Sequence, residues 1–206
     1  MSPMVKDQNT KGILYIMTGM AFFSIQDSLI KFIYNDIALF ELYLIRTIIQ
    51  ASLLLALVLI TKRKVSFKTH YPLLTLLRVV CFFFGFSFFY ISLTFMTLAM
   101  TSALFFSCPF FMSMFAKFFL KEQIGIRRWS AIVVGFIGVI IVLNPTLEEF
   151  NFLKLAPVAC AICYAISMTI TKYTSDKDDI YTQMSWLYLF AISAGITIFL
   201  VSGDGK

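Results

Sequence analysis

The chain has 206 residues, of which 60% are hydrophobic and only 14% charged, and its mean hydropathy is +0.87. This composition excludes a water-soluble domain, in which about a quarter of the residues are charged. The formal charge of +6 does not indicate a nucleic-acid partner, because the basic residues lie at the ends of apolar stretches and form no stripe on a polar face. The predicted environment is therefore the lipid bilayer.

Seven stretches are apolar enough to enter that bilayer. A hydrocarbon core of ~30 Å requires about 20 apolar residues, and an α-helix satisfies its own backbone hydrogen bonds there. The sequence thus predicts an all-α, polytopic transmembrane helical bundle of about seven spans. In chain order they are Gly12 to Tyr34, Ala38 to Ile60, Pro72 to Leu93, Thr97 to Leu120, Trp129 to Leu143, Leu153 to Thr171 and Met184 to Val201.

The loops between these spans differ in basic residues, which favour the cytoplasmic side of a membrane. One side carries Lys6, Lys11, Lys62, Arg63, Lys64, Lys68, Lys117, Lys121, Arg127, Arg128, Lys172 and Lys177. The opposite side holds an uncharged turn, acidic residues and scattered lysines. We therefore expect a multi-pass protein of the cell (inner) membrane with a cytoplasmic N-terminus.

The first two spans contain ionisable residues, which cost ~2.5–3.5 kcal/mol each at the centre of a membrane helix. Span one carries Asp27 and Lys31, one turn apart, and span two carries Glu41 and Arg46. Because the two spans run in opposite directions, Asp27 matches Arg46 in depth and Lys31 matches Glu41. We predict these two pairs. They form either a structural salt bridge or, with Asp27, Lys31 and Arg46, a substrate or proton site.

Spans three to five hold the remaining candidates. Arg78, near the cytoplasmic end of span three, is expected to snorkel to the basic surface. In span four a hydroxylated face that includes Ser107 precedes Pro109, which predicts a kink beside packed protein or water. Gly135 and Gly138 stand one turn apart in span five and predict close helix approach.

Span three is rich in aromatic residues, most of which are expected to face lipid. Tyr90 and Ser87 also have hydroxyls that could meet a planar substrate, although ordinary packing is the commoner role. Cys160 and Cys163 lie inside a span, where packing is expected. The sequence predicts no metal site and no cofactor, and it shows none of the residue constellations of an enzyme.

Several motifs resemble the EamA-type branch of the drug/metabolite transporter superfamily. A weak echo of span one in span six also suggests an inverted repeat. The matching segments are Phe40-Glu41 with Arg46, Leu77-Arg78, Ala99 to Leu104 with Pro109-Phe110, Leu120-Lys121-Glu122, Arg128-Trp129, Gly135 to Val139 and Asn144-Pro145. Within the family, Ser24 to Lys31, Phe40-Glu41 and Phe82 to Tyr90 are similar to S-adenosylmethionine uptake carriers.

The resemblance implies ten helices in two inverted five-helix repeats around a central substrate path. Residues 1–146 would form the first repeat, and residues 147–206 would form two helices of the second. The chain is then expected to be truncated, or to obtain the missing helices from a homodimer or a second polypeptide. The implied function is secondary transport of a small polar metabolite by alternating access. The alternative is a non-transporting membrane scaffold or assembly subunit.

Overall fold

The computed structural model describes residues 3–33, 39–62, 67–143 and 155–202. Within these ranges the chain forms helices joined by short turns, without a strand, which confirms the predicted all-α class. The helices are α1 (Pro3–Ile33), α2 (Leu39–Thr61), α3 (Pro72–Phe95), α4 (Leu98–Phe105), α5 (Cys108–Phe119), α6 (Ile126–Leu143), α7 (Ala156–Thr174) and α8 (Ile180–Ser202).

Every predicted span contains a helix, and span four is divided into α4 and α5. Among the described residues, three stretches are long and apolar enough to cross a membrane, namely Leu44–Thr61, Pro72–Phe95 and Leu98–Phe119. Shorter apolar stretches, Leu14–Gln26 and Trp129–Gly138, lie in α1 and α6. The structure is thus consistent with a polytopic helical membrane protein.

The chain divides into two compact units, Met1–Ala38 and Leu39–Lys206. The first unit consists of α1, whose apolar side chains Leu14, Tyr15 and Met17 are exposed. Such a surface suits contact with lipid tails, since no water-soluble helix would present so many apolar groups. Because α1 begins at Pro3, the polar residues at the start of the chain belong to the same helix as span one.

In the second unit α7 occupies the centre and packs against α3, α4 and α5. Helix α8 packs against α2 and α3, whereas α6 contacts α4. Ala161, Ala165 and Ser167 of α7 are fully buried. Because α7 is covered by other helices, it is built largely from small and hydroxylated residues and is less apolar than its neighbours.

Two glycines lie where these helices contact each other. A Cβ atom at Gly85 of α3 would lie 3.4 Å from the Cβ of Cys163 and 3.6 Å from the carbonyl oxygen of Cys160, both on α7. A Cβ at Gly195 of α8 would overlap the side chain of Leu44 on α2. A methyl group would thus just fit at Gly85, where α3 and α7 are in contact, whereas at Gly195 the Leu44 side chain would have to move.

Candidate functional site

Arg46 and Tyr90, both predicted site residues, are brought together by α2 and α3. The Nη1 atom of Arg46 donates a hydrogen bond to the Tyr90 hydroxyl over 2.5 Å. The guanidinium carbon lies 4.1 Å from the centre of the Phe86 ring, which is a cation–π distance. These three side chains, Arg46, Phe86 and Tyr90, form what we call the arginine–aromatic cluster.

The cluster provides two kinds of interaction for a ligand. Tyr90 is only 3% exposed, whereas Arg46 is half-buried. The buried Nε atom of Arg46 has no hydrogen-bond partner among the described residues. A planar guanidinium with a free N–H binds carboxylate, phosphate or carbonyl oxygens, and the aromatic faces beside it accept a flat ring. The arrangement thus suits a polar solute that contains a planar group.

The aromatic residues of span three lie partly at the surface and partly inside the bundle. Of the seven rings from Phe82 to Tyr90, only Phe89 and Tyr90 are buried, and the other five are partly exposed, Phe84 by half. Contact of most of these rings with lipid stays a prediction. Phe89 contacts Phe105 of α4 at a centroid distance of 6.0 Å, and Phe105 contacts Tyr164 of α7 at 5.6 Å. These rings face inward because α3 is surrounded by α4, α7 and α8.

The structure does not describe the side chains of the two charged residues of span one. Asp27 and Lys31 are within α1, but only their backbone is described. The Asp27–Arg46 and Lys31–Glu41 pairs therefore stay predictions. Glu41 is half-buried in the first turn of α2, where a carboxylate interacts favourably with the positive end of the helix dipole.

Ser107 lies at the break between α4 and α5, where a kink was predicted. The Ser107 amide donates to the carbonyl of Leu104, three residues back, over 3.1 Å, so the chain tightens there. Pro109 falls in the first turn of α5, where a missing N–H leaves no helical bond unmade. The proline thus starts a new helix and does not lie in the interior of a long one.

A cavity of about 770 Å³ lies between this break and α6. Ser107 and Pro109 line it, together with Phe110, Gly135 and Gly138. The Ser107 side chain is almost fully buried, and its hydroxyl has no partner among the described residues. Neither Arg46 nor Tyr90 lines the cavity, so the structure places Ser107 apart from the arginine–aromatic cluster.

Among the described residues no close helix approach is seen at the glycines of span five, and their predicted role stays a prediction. A Cβ atom at Gly135 or Gly138 would meet nothing within 4 Å, and both residues are exposed on the cavity side of α6. Close approach occurs at Gly85 and Gly195 instead. A spacing of small residues identifies a helix face that permits contact, but not which helix makes it.

The snorkelling prediction for Arg78 is wrong. Its side chain is 1% exposed and donates from Nη1 to the carbonyl of Gln183, on the first turn of α8, over 3.0 Å. The Nε and Nη2 atoms of Arg78 have no partner among the described residues. Arg78 is covered because α7 and α8 pack over α3, which the local sequence does not reveal.

Sequence reasoning missed Phe86 as a member of the arginine–aromatic cluster, because Phe86 is one of many equivalent rings in span three. The only usable signal was the depth of Arg46, which requires a partner from a neighbouring span. Depth alone does not distinguish a carboxylate on α1 from a phenol on α3.

Comparison with known proteins gives a consistent result. The family model described as "EamA-like transporter family" matches residues 10–144. An S-adenosylmethionine uptake transporter of Rickettsia bellii is 30% identical over 185 residues, which cover 90% of this chain and 62% of that protein. The corresponding protein of Rickettsia felis is 31% identical over the same length, with the same shares of both chains covered.

A riboflavin transporter of Rhizobium johnstonii is 30% identical over 154 residues, covering 67% of this chain and 51% of that protein. No solved structure matches the chain. The chain spans 62% of the length of the two Rickettsia relatives.

Proposed function

The chain belongs to the EamA-like transporter family, and from this premise we propose that it acts in secondary transport of a small polar metabolite across the membrane. The observation that carries the proposal is the arginine–aromatic cluster, in which a half-buried cation faces aromatic rings inside the bundle. A charge at this depth is costly in a membrane helix and marks a substrate path more often than a packing site. Membership of a transporter family argues against an enzyme.

We infer that the substrate contains a planar ring and an anionic or carbonyl oxygen. The ring would stack on the cluster, and the oxygen would accept from Arg46. Relatives of this chain are named for uptake of S-adenosylmethionine and of riboflavin. Both of these solutes carry a fused heteroaromatic ring, which supports the same class of substrate here. Asp27 and Lys31 of α1 are proposed as further substrate-binding residues.

The proposed mechanism is alternating access between two inverted repeats, residues 1–146 and residues 147–206. Its support is the packing of α7 and α8, from the second segment, against α2, α3, α4 and α5 of the first. In secondary transporters built from repeats, one repeat rocks against the other as a rigid body around a fixed site. The basic loops support a cytoplasmic N-terminus in the inner membrane.

A second candidate is a membrane scaffold or assembly subunit. It is favoured by the exposed apolar side chains of α2, among them Leu53, Leu55 and Leu59. Under this proposal the apolar surfaces of the helices would bind further helices, from another copy or another polypeptide. The scaffold needs neither the Arg46 charge nor a solute path.

Uptake into proteoliposomes separates the two candidates. The probes are radiolabelled S-adenosylmethionine and riboflavin, and the variants are Arg46→Gln and, as a matched control, Arg127→Gln, an exposed arginine of α6. We expect uptake of at least one probe, a loss of about tenfold or more in Arg46→Gln, as for one lost charged contact, and no loss in Arg127→Gln. Uptake equal to that of empty liposomes for both probes would refute transport by this chain and favour the scaffold.

A further inference from the structure

Two segments far apart in the sequence meet at one carboxylate. Residues 67–71, which lead into α3, contact the turn of residues 175–179 between α7 and α8. The Thr69 hydroxyl donates to Oδ2 of Asp178 over 2.5 Å, and the His70 amide donates to Oδ1 over 2.9 Å. Nδ1 of His70 lies 2.9 Å from the same Oδ1 atom. We call the contact between these two segments the latch.

The Asp178 carboxylate is buried within the latch. The Asp178 side chain is 2% exposed, although that of His70 is 64% exposed. Burial alone would raise the pKa of Asp178, but the hydrogen bonds from Thr69 and His70 outweigh it, so the pKa lies below its ordinary value. The carboxylate therefore stays charged at neutral pH and holds three donors at once.

Aromatic contacts extend the latch on both sides. Nζ of Lys177 lies 5.3 Å from the centre of the Tyr71 ring, and the rings of Tyr71 and Tyr173 are 5.8 Å apart. The indole nitrogen of Trp186 on α8 donates to the carbonyl of Phe67 over 3.1 Å. Every one of these contacts joins residues 67–71 to α7, α8 or the turn between them.

Polar groups lie directly beneath the latch. Nε2 of Gln183 donates to the carbonyl of Asp178 over 3.1 Å, and the carbonyl of Gln183 accepts from buried Arg78. Among the described residues, Oε1 of Gln183 and two nitrogens of Arg78 have no partner. Separation of the latch would expose these groups to solvent and satisfy them, which lowers the free energy of the open form. A purely structural clamp would be expected to seal an apolar core.

We propose that the latch is a gate, which closes the end of the bundle bearing the basic loops and must separate for solute to pass there. This inference rests on the proposed transport function. The latch joins the two segments assigned to opposite repeats, uses only non-covalent contacts and covers a polar interior. Asp178 is its centre, because the Thr69 hydroxyl, the His70 amide and the His70 ring converge on that one carboxylate.

The first experiment measures opening of the latch without transport. Thr75, which is buried and contacts the Thr69 hydroxyl at 3.0 Å, is replaced by cysteine in a chain whose four native cysteines are alanine. In nanodiscs, a membrane-impermeant maleimide should label Thr75→Cys about tenfold faster when Asp178→Ala is added. Asp176→Ala, an exposed neighbour on the same turn, should not change the rate.

A second readout protects this test against misfolding of the cysteine variant. Trp186 is the reporter in a Trp129→Phe chain, which then contains one tryptophan. Its emission should shift to longer wavelength in Asp178→Ala and not in Asp176→Ala, because the indole loses its bond to Phe67. Equal labelling rates together with equal emission in the two aspartate variants would overturn the gate.

The final experiment links the latch to transport. Thr69→Cys and Asp178→Cys are combined in the cysteine-free chain and joined by a short bis-methanethiosulfonate crosslinker, which dithiothreitol removes. Crosslinking should reduce uptake of radiolabelled S-adenosylmethionine or riboflavin at least tenfold, and reduction should restore it. Full uptake by the crosslinked protein would overturn the gate. If the wild-type chain takes up neither probe, the transport proposal fails, and the latch is judged by labelling and emission alone.

Discussion

The hydrogen bond between Arg46 and Tyr90 gives a direct test of the arginine–aromatic cluster. The perturbation is a double-mutant cycle of Tyr90→Phe, Arg46→Met and the combined variant. Hydrogen bonds to charged groups contribute ~1.5–3 kcal/mol in soluble proteins, whereas cycles in a membrane protein average ~0.6 kcal/mol with a maximum of ~1.7 kcal/mol. The bond is charged and Tyr90 is 3% exposed, so we expect a coupling near the upper membrane value, about 1–2 kcal/mol.

The assay is reversible unfolding of the purified chain in mixed detergent micelles, followed by circular dichroism. The cycle isolates the pair, because the other contacts of Tyr90 cancel between the single and double variants. Pairing Tyr90→Phe with Ser193→Ala serves as the control, since Ser193 is exposed and bonds its own helix at Phe190. That control should show a coupling near zero. A coupling below ~0.3 kcal/mol for Arg46 and Tyr90 would refute the assignment of the bond as a structural element of the site.

Two further predictions concern the α3–α7 contact and the latch. Gly85→Val should lower the free energy of unfolding by ~1–3 kcal/mol through overpacking against α7. Gly135→Val should be nearly neutral, because a Cβ atom there would meet nothing within 4 Å. Thermal melts of the two variants check this prediction, and equal melting temperatures would contradict it. The pKa of Asp178 is lowered from 3.8 in the folded chain, so its stabilising contribution is complete above that value and is lost as pH falls through the lowered pKa. Trp186 emission should therefore be constant from pH 7 to about pH 4 and change below pH 4. Asp178→Asn should abolish this change in emission. A change that persists in Asp178→Asn would assign it to another carboxylate.

The latch also separates what local chemistry reveals from what packing adds. His70 lies in a basic loop, and its side chain is exposed. Its ring and amide nevertheless meet a carboxylate more than a hundred residues later in the chain. No pattern near residue 70 or near residue 178 specifies that pairing. It exists because α3 and α7 are neighbours, which brings the segments at their ends together.

The sequence by itself determined the membrane-spanning helices, the break near Pro109 and the presence of a polar group at the depth of Arg46. These follow from local rules, since hydrocarbon forces the backbone into helices and a proline lacks the N–H that would continue one. Only the tertiary structure decided the partner of Arg46, the burial of Arg78 and the use of Gly85 in place of Gly135 for close approach. In an apolar environment every face of such a helix is compatible with lipid, so the face that becomes buried depends on which distant helix packs against it.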